Sequence, residues 1–263
     1  MHPEIVHWGW LHIRSYGLML ALAFLVGTLL ALREAARLHL DEDRVVNVIL
    51  VVLVSSVLGA RALYVLEHVG EFKRQWSGML AVWQGGLTLY GGVVAGTLGG
   101  LLAARRFGLP MWTLADALTP SFALGTAFGR VGCFLNGCCY GHPTSLPWGV
   151  RFPSDSFAAL EFGDTPVHPS QLYFAAAGLV LFVAAWWGRT RARVPGMLFW
   201  SFLLAFALLR IPLDMTRAYE SGAVLARVGP LAVTESQFTS LALVLFAALM
   251  LIRLRREAAA AVA

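Results

Sequence analysis

The chain has 263 residues with a net charge of +5, and only 13% are charged against 58% hydrophobic, at a mean hydropathy of +0.69. A soluble domain carries about 25% charged residues, so the composition excludes a water-soluble globule and places the chain in the membrane class. The positive balance is almost wholly arginine, with Lys73 the only lysine; this suits loops facing anionic lipid headgroups and excludes a nucleic-acid partner.

Crossing the hydrocarbon takes roughly 20 apolar residues. Stretches near 15–32, 45–66, 85–104, 108–129, 170–188, 195–213 and 236–252 meet that length, which predicts an all-α integral membrane protein with about seven spanning helices in a single polytopic domain, 1–263. The first stretch follows Glu4 without a lysine-rich leader and reads as a retained helix. Pro110 and Pro169 suit the first turns of the fourth and fifth spans. The loops after spans one, three and five and the C-terminal tail hold Arg33, Arg37, Arg44, Arg105, Arg106, Arg189, Arg191, Arg193, Arg253, Arg255 and Arg256. Arg14, Lys73, Arg74, Arg151, Arg217 and Arg227 fall on the other side, so the positive-inside rule puts the C-terminus in the cytoplasm and the N-terminus outside.

Arg61, Arg130 and Arg210 lie within or at the ends of spans, where an arginine costs at least about 2.5–3.5 kcal/mol on insertion scales and is paired, hydrated or functional. Each either pairs with an acid (Glu67, Asp116 and Asp214 are available) or offers its planar fork to a phosphate or carboxylate. Gly92, Gly96 and Gly100, and likewise Gly125 and Gly129, repeat at four-residue spacing and read as helix-packing rows. Gly85-Gly86 and Gly91-Gly92 bracket Leu87-Thr88-Leu89-Tyr90 and predict a break in the backbone, tolerated at membrane depth only inside protein or beside a wet cavity. Tyr90 either points into that cavity or belongs to an interfacial aromatic belt. The long outer connection from about Cys133 to Pro169 is rich in proline, glycine and aromatics, including Phe134, Tyr140, Trp148, Phe152, Phe157 and Phe162, and reads as an ordered cap.

Polar groups concentrate in three segments that this topology puts at one leaflet: Arg14-Ser15-Tyr16-Gly17, Gly129 through Gly141, and Arg210 through Arg217. Arg210, Asp214 and Arg217 have i, i+4, i+7 spacing, one face of a helix, although Pro212 disturbs the turn. His168-Pro169-Ser170-Gln171-Leu172-Tyr173 opens the fifth span; His168 is either a cap or, with its near-neutral pKa, a base.

Four of these segments resemble the bacterial prolipoprotein diacylglyceryl transferase family: Arg14-Ser15-Tyr16-Gly17, Gly85-Gly86-Leu87-Thr88-Leu89-Tyr90-Gly91-Gly92, Gly129-Arg130-Val131-Gly132 with Asn136-Gly137, and His168 through Tyr173. The Arg210…Asp214…Arg217 set and Thr234-Glu235-Ser236-Gln237 are similar too. The resemblance implies a multi-pass protein of the bacterial inner membrane, without a cofactor or metal, and with phosphatidylglycerol and prolipoprotein lipobox peptides as partners. The implied reaction moves the diacylglyceryl group of phosphatidylglycerol to a lipobox cysteine thiol and releases glycerol phosphate. Arg130 and Arg210 would hold the donor phosphate and stabilise leaving-group charge, joined by Arg217. Tyr16 and Asn136 would orient the headgroup, Asp214 would fix Arg210 or move a proton, and Tyr90, Gly91, Gly92 and His168 complete the implied site. Some members carry histidine where Tyr90 stands; tyrosine titrates near 10 and is the poorer base. Members also carry asparagine and glutamate where Cys133 and Cys138 stand, and glutamate in place of Asp214.

Cys133, Cys138 and Cys139 fall within seven residues. They are candidate reactive thiols, since a thiol beside Arg130 would ionise readily and accept a lipid group in relay. A zinc site would need a fourth ligand such as His142; packing thiols or a disulfide are the plain readings. A paralogous transferase with another acceptor and a non-enzymatic binder or transporter of anionic lipid are the alternative functions.

Overall fold

The computed structural model describes residues 4–8, 11–72, 76–82, 85–154, 156–219, 224–228 and 231–260. Helices occupy all seven predicted stretches: α1 (Ser15–Arg37), α2 (Glu42–Glu67), α4 (Leu89–Arg106), α5 (Met111–Asn136), α7 (Ser170–Gly188), α8 (Met197–Asp214) and α9 (Glu235–Ala260). Two short helices, α3 (Val69–Phe72) and α6 (Phe157–Phe162), and a 3₁₀ turn at Trp76–Leu80 also lie among the described residues. Of these, α1, α2, α7, α8 and α9 are long and apolar enough to cross a membrane. Their outward residues, such as Leu25, Leu29, Val54, Leu58, Val180, Leu245 and Leu249, are exposed apolar side chains, as a bilayer solvent requires. The chain is a multi-pass membrane protein.

Two small hairpins are additional to the expected all-α class. β1 (Glu4–Trp8) pairs antiparallel with β2 (Leu11–Arg14), and β3 (Val224–Val228) with β4 (Leu231–Thr234). Each runs without a loop into a helix, β2 into α1 and β4 into α9.

The chain divides into two compact units, residues 1–30 with 118–263, and residues 31–117. In the second, α2 packs on α4 through small residues. A Cβ on Gly91 would lie 2.3 Å from the Gly59 carbonyl oxygen, and one on Gly96 2.1 Å from Ser56 Oγ. Gly92 and Gly100 also face α2, so the predicted row on α4 is a packing face. The predicted break before α4 is present, with Gly85 (φ +87°) and Gly86 (φ +71°) left-handed, a conformation glycine adopts without steric cost.

In the first unit α5 touches both α1 and α7. Gly132 lets α1 approach, since a Cβ there would meet Tyr16 and Met19 at 3.1 Å; Gly178 of α7 lies against the backbone of Ala127. α8 meets α9 through Trp200, Ala247, Leu251 and Leu254. Gly125 and Gly129 do not form the packing row expected of them, because an added Cβ at either would meet open space. The segment between α5 and α7 is ordered, as its aromatics suggested. Phe152, Ala158 and Val167 form a small core with Phe134, Tyr140, Val150 and Phe162 around it, and Pro143 and Val150 bridge to Val167.

Candidate active site

The last turns of α5 carry Arg130, Cys133 and Asn136, and the first turn of α1 carries Tyr16. Tyr16 lies within electrostatic reach of Arg130 and all three cysteines. The Arg130 guanidinium sits 4.5 Å above the Phe174 ring of α7. Among the described residues no hydrogen bond or ion pair occupies its donors. Asn136 lies beside the Cys138 thiol.

The Arg210…Arg217 set departs from the single helical face its spacing suggested. α8 ends at Asp214, and Arg217 lies beyond it on an extended stretch that bridges Gly141. Pro212 supplies no backbone N–H to the last turn, and the chain unwinds through short turns closed by Thr216 N–H to the Leu213 carbonyl and Arg217 N–H to the Asp214 carbonyl. Asp214 does not pair with Arg210. Its buried carboxylate accepts from Tyr219 (2.5 Å) and Thr234 (3.3 Å), while Arg210 Nε donates to Ser236 Oγ at 2.8 Å.

Tyr219 joins these groups. Its hydroxyl donates to Asp214, receives Arg217 Nη1 at 3.3 Å and lies beside Ser236, and the Arg217 guanidinium lies 4.5 Å over its ring. Burial first, then the bond to Asp214, holds the Tyr219 phenol above its usual range, so it remains a donor. Sequence reasoning missed Tyr219 altogether: five residues past Asp214 and beyond the helix end, it shares no periodic face with the arginines. Ser236 stood in a noted segment without a role.

Arg217 Nη2 also reaches Cys139 Sγ at 3.3 Å. The sulfurs of Cys133, Cys138 and Cys139 lie within 4.8 Å of one another, and all three thiols are free and half-buried. His142, the suggested fourth ligand, does not join them. Hydrogen bonds from the Cys133 and Cys138 thiols, then the charges of Arg217 and Arg130, outweigh burial and hold the Cys139 thiol below its usual range.

The segment opening α7 pins the cap. Fully buried Gln171 donates Nε2 to the Cys138 carbonyl at 2.8 Å, and Ser170 Oγ meets Thr216 Oγ1 at 2.8 Å. Gly141 N–H donates to the His168 carbonyl, and His168 N–H to the His142 carbonyl. The His168 ring contacts the Tyr173 hydroxyl at 3.3 Å; burial, then His142, lowers its pKa.

Within the second unit, Tyr90 is the second residue of α4 and half exposed, while Gly91 and Gly92 face α2. Arg61 is buried and paired, but with none of the expected acids. Its Nε donates to the Met79 carbonyl (2.9 Å), Nη1 to Gly85 and Gly86 (2.6 and 2.9 Å) and Nη2 to Gly78 (2.5 Å). Arg61 thereby satisfies the carbonyls of the glycine break.

The profile of the family described as Prolipoprotein diacylglyceryl transferase matches residues 3–253. The phosphatidylglycerol–prolipoprotein diacylglyceryl transferase of Geobacter sulfurreducens is 35% identical over 219 residues, 82% of each chain. That of Thermus thermophilus is 35% identical over 228 residues, covering 80% of this chain and 81% of its own. That of Clostridium tetani is 29% identical over 241 residues, 92% of this chain and 93% of its own.

Proposed function

This chain belongs to the prolipoprotein diacylglyceryl transferase family, and we propose that it moves the diacylglyceryl group of phosphatidylglycerol to the lipobox cysteine of prolipoproteins at the outer leaflet of the bacterial inner membrane. In this reading the whole chain works as one polytopic domain, α4 and α5 also cross the bilayer, the N-terminus is periplasmic and the C-terminus cytoplasmic.

The observation that carries the reading is the state of Arg130. It is a half-buried guanidinium with no hydrogen bond among the described residues, held by an aromatic face, and it acts on Cys139 together with Arg217. Such a fork binds a phosphate oxygen pair. The acceptor sulfur attacks the glyceryl carbon that bears the phosphate; a C–S bond forms, the C–O bond breaks, and its electron pair stays on the phosphate oxygen. The donor diester carries one negative charge and the departing monoester gains a second, so Arg130 and Arg210 stabilise the transition state more than the ground state. Asp214 fixes the site indirectly through Tyr219, which orients Arg217 and, through Ser236, Arg210. Tyr16 and Asn136 orient the headgroup, and His168 braces the cap. Within their own unit Gly91 and Gly92 let α4 lie close against α2.

The test supplies purified protein in detergent with labelled phosphatidylglycerol and a lipobox peptide. Thioether-linked lipid on the peptide with release of glycerol phosphate is expected. Lipid binding without release would replace the enzyme by a binder, and release without use of the lipobox cysteine would indicate another acceptor.

A further inference from the structure

The mechanism above leaves the acceptor thiol without a group that ionises it, since Tyr90 is a poor base near neutrality. The cysteine cluster lies beside Arg217 and within electrostatic reach of Arg130. Cys133 lies on the last turn of α5, and the chain then turns through Gly137 (φ +74°) and Cys139 (φ +62°), so adjacent cysteines converge on the first. A left-handed backbone at a non-glycine residue persists only where surroundings enforce it. Here Gln171 holds the Cys138 carbonyl and Arg217 reaches the Cys139 sulfur.

Thiolates at about 2.3 Å from a tetrahedral zinc ion are roughly 3.8 Å apart, so sulfurs within 4.8 Å of one another need only a small contraction to share one ion. Among the described residues no fourth histidine, cysteine or carboxylate joins them. A closed structural zinc site has four protein ligands, whereas three with an open position mark a reactive one. Three thiolates and a divalent ion carry one net negative charge, which the Arg217 guanidinium beside Cys139 offsets.

The geometry points to a zinc site formed by Cys133, Cys138 and Cys139, whose open fourth position takes the acceptor thiol. This rests on the transferase reading. The incoming thiol replaces a water on zinc and gives its proton to solvent, because a coordinating thiol is deprotonated outright. The zinc-held sulfur attacks the glyceryl carbon, the phosphate leaves toward Arg130 and Arg210, and the neutral thioether, a weak ligand, is displaced by water. No electron changes hands.

The experiment uses the full chain in detergent. Metal analysis should find one zinc per chain, falling to near zero in Cys139→Ser and Cys133→Ser. Replacing zinc by cobalt(II) should give sulfur-to-cobalt absorption that changes with a lipobox peptide but not with its serine analogue. Chelation of the wild-type protein, which avoids variants that misfold, should lower transfer at pH 7 by about 30-fold, the ratio set by a free thiol of pKa about 8.5. The residual rate should then climb about tenfold per pH unit up to 8, and zinc alone should restore the original rate. A wild-type protein that binds neither ion, a disulfide among the three cysteines, or undiminished transfer after chelation would overturn the zinc site and leave the transferase standing. Zinc bound at full occupancy with no transfer to the lipobox would overturn the acceptor role and the transferase reading together.

Discussion

Arg61 and Arg130 are the same residue type, each on a long apolar helix of its own unit, and the structure uses them in opposite ways. Arg61 turns all three of its nitrogens onto backbone carbonyls of Gly78, Met79, Gly85 and Gly86, with Tyr64 and Phe72 flanking it. Arg130 rests on one aromatic ring, and among the described residues nothing takes its donors. An intramembrane arginine is therefore a functional candidate in proportion to the donors its own protein leaves open.

The contrast breaks most visibly by truncation. Arg130→Ala should lower transfer by roughly 10²–10³-fold, as loss of one transition-state donor does, with the thermal midpoint nearly unchanged. Arg61→Ala should do the reverse, since each buried carbonyl left unpaired costs about 1–3 kcal/mol; the midpoint should drop sharply while transfer per folded molecule stays within a few-fold. Assay and thermal melt run side by side separate the two, and a stable, inactive Arg61→Ala would erase the distinction.

The positions around each arginine sharpen it further. Gly141→Ala would drive a Cβ to 2.4 Å from Ser170 Oγ and the Thr216 carbonyl oxygen, an overpacking that should cost about 1–3 kcal/mol. Proteolysis between Cys139 and Pro169 should accelerate accordingly. Tyr219→Phe removes the hydroxyl shared by Asp214, Arg217 and Ser236 and should reduce transfer about tenfold with little change in melting, near the ~1.4 kcal/mol such a factor represents. His168 should show the smallest effect. Burial and His142 depress its pKa, so it is neutral at pH 7, and its contribution to stability is present above the ordinary value of about 6.5 and lost as pH falls. A histidine NMR titration should place its midpoint below that value, and a midpoint above it would refute the neutral brace.

Much of this was legible in the residues. Apolar length marked the seven helices, glycine spacing marked the α4 packing row, and paired glycines marked the break before Tyr90. Arg61 was ambiguous because its partners are carbonyls, which leave no side-chain signature. Gly125 and Gly129 have the same spacing as the α4 row and yet a Cβ added at either meets no described atom within 4 Å, since spacing specifies a face and not what covers it. The Arg210…Arg217 face was misread because the helix stops at Asp214, and that same stop placed Tyr219 where no periodicity would point. The three cysteines were visible as a cluster, but their convergence depends on left-handed turns at Gly137 and Cys139, and only one of those is a glycine.

Tyr16 and Ser236 are each the second residue of their helices, α1 and α9, and each helix is the unbroken continuation of a hairpin with matching register, Val6 opposite Ile13 in one and Ala226 opposite Val233 in the other. Neither junction has slack. One residue added between Arg14 and Ser15, or between Thr234 and Glu235, would turn the helix start by about 100° relative to its ribbon and swing a site residue away. The two ribbons are in this sense gauges that set the clocking of α1 and α9, and the spacing at their junctions is less free to drift than any residue along the strands themselves.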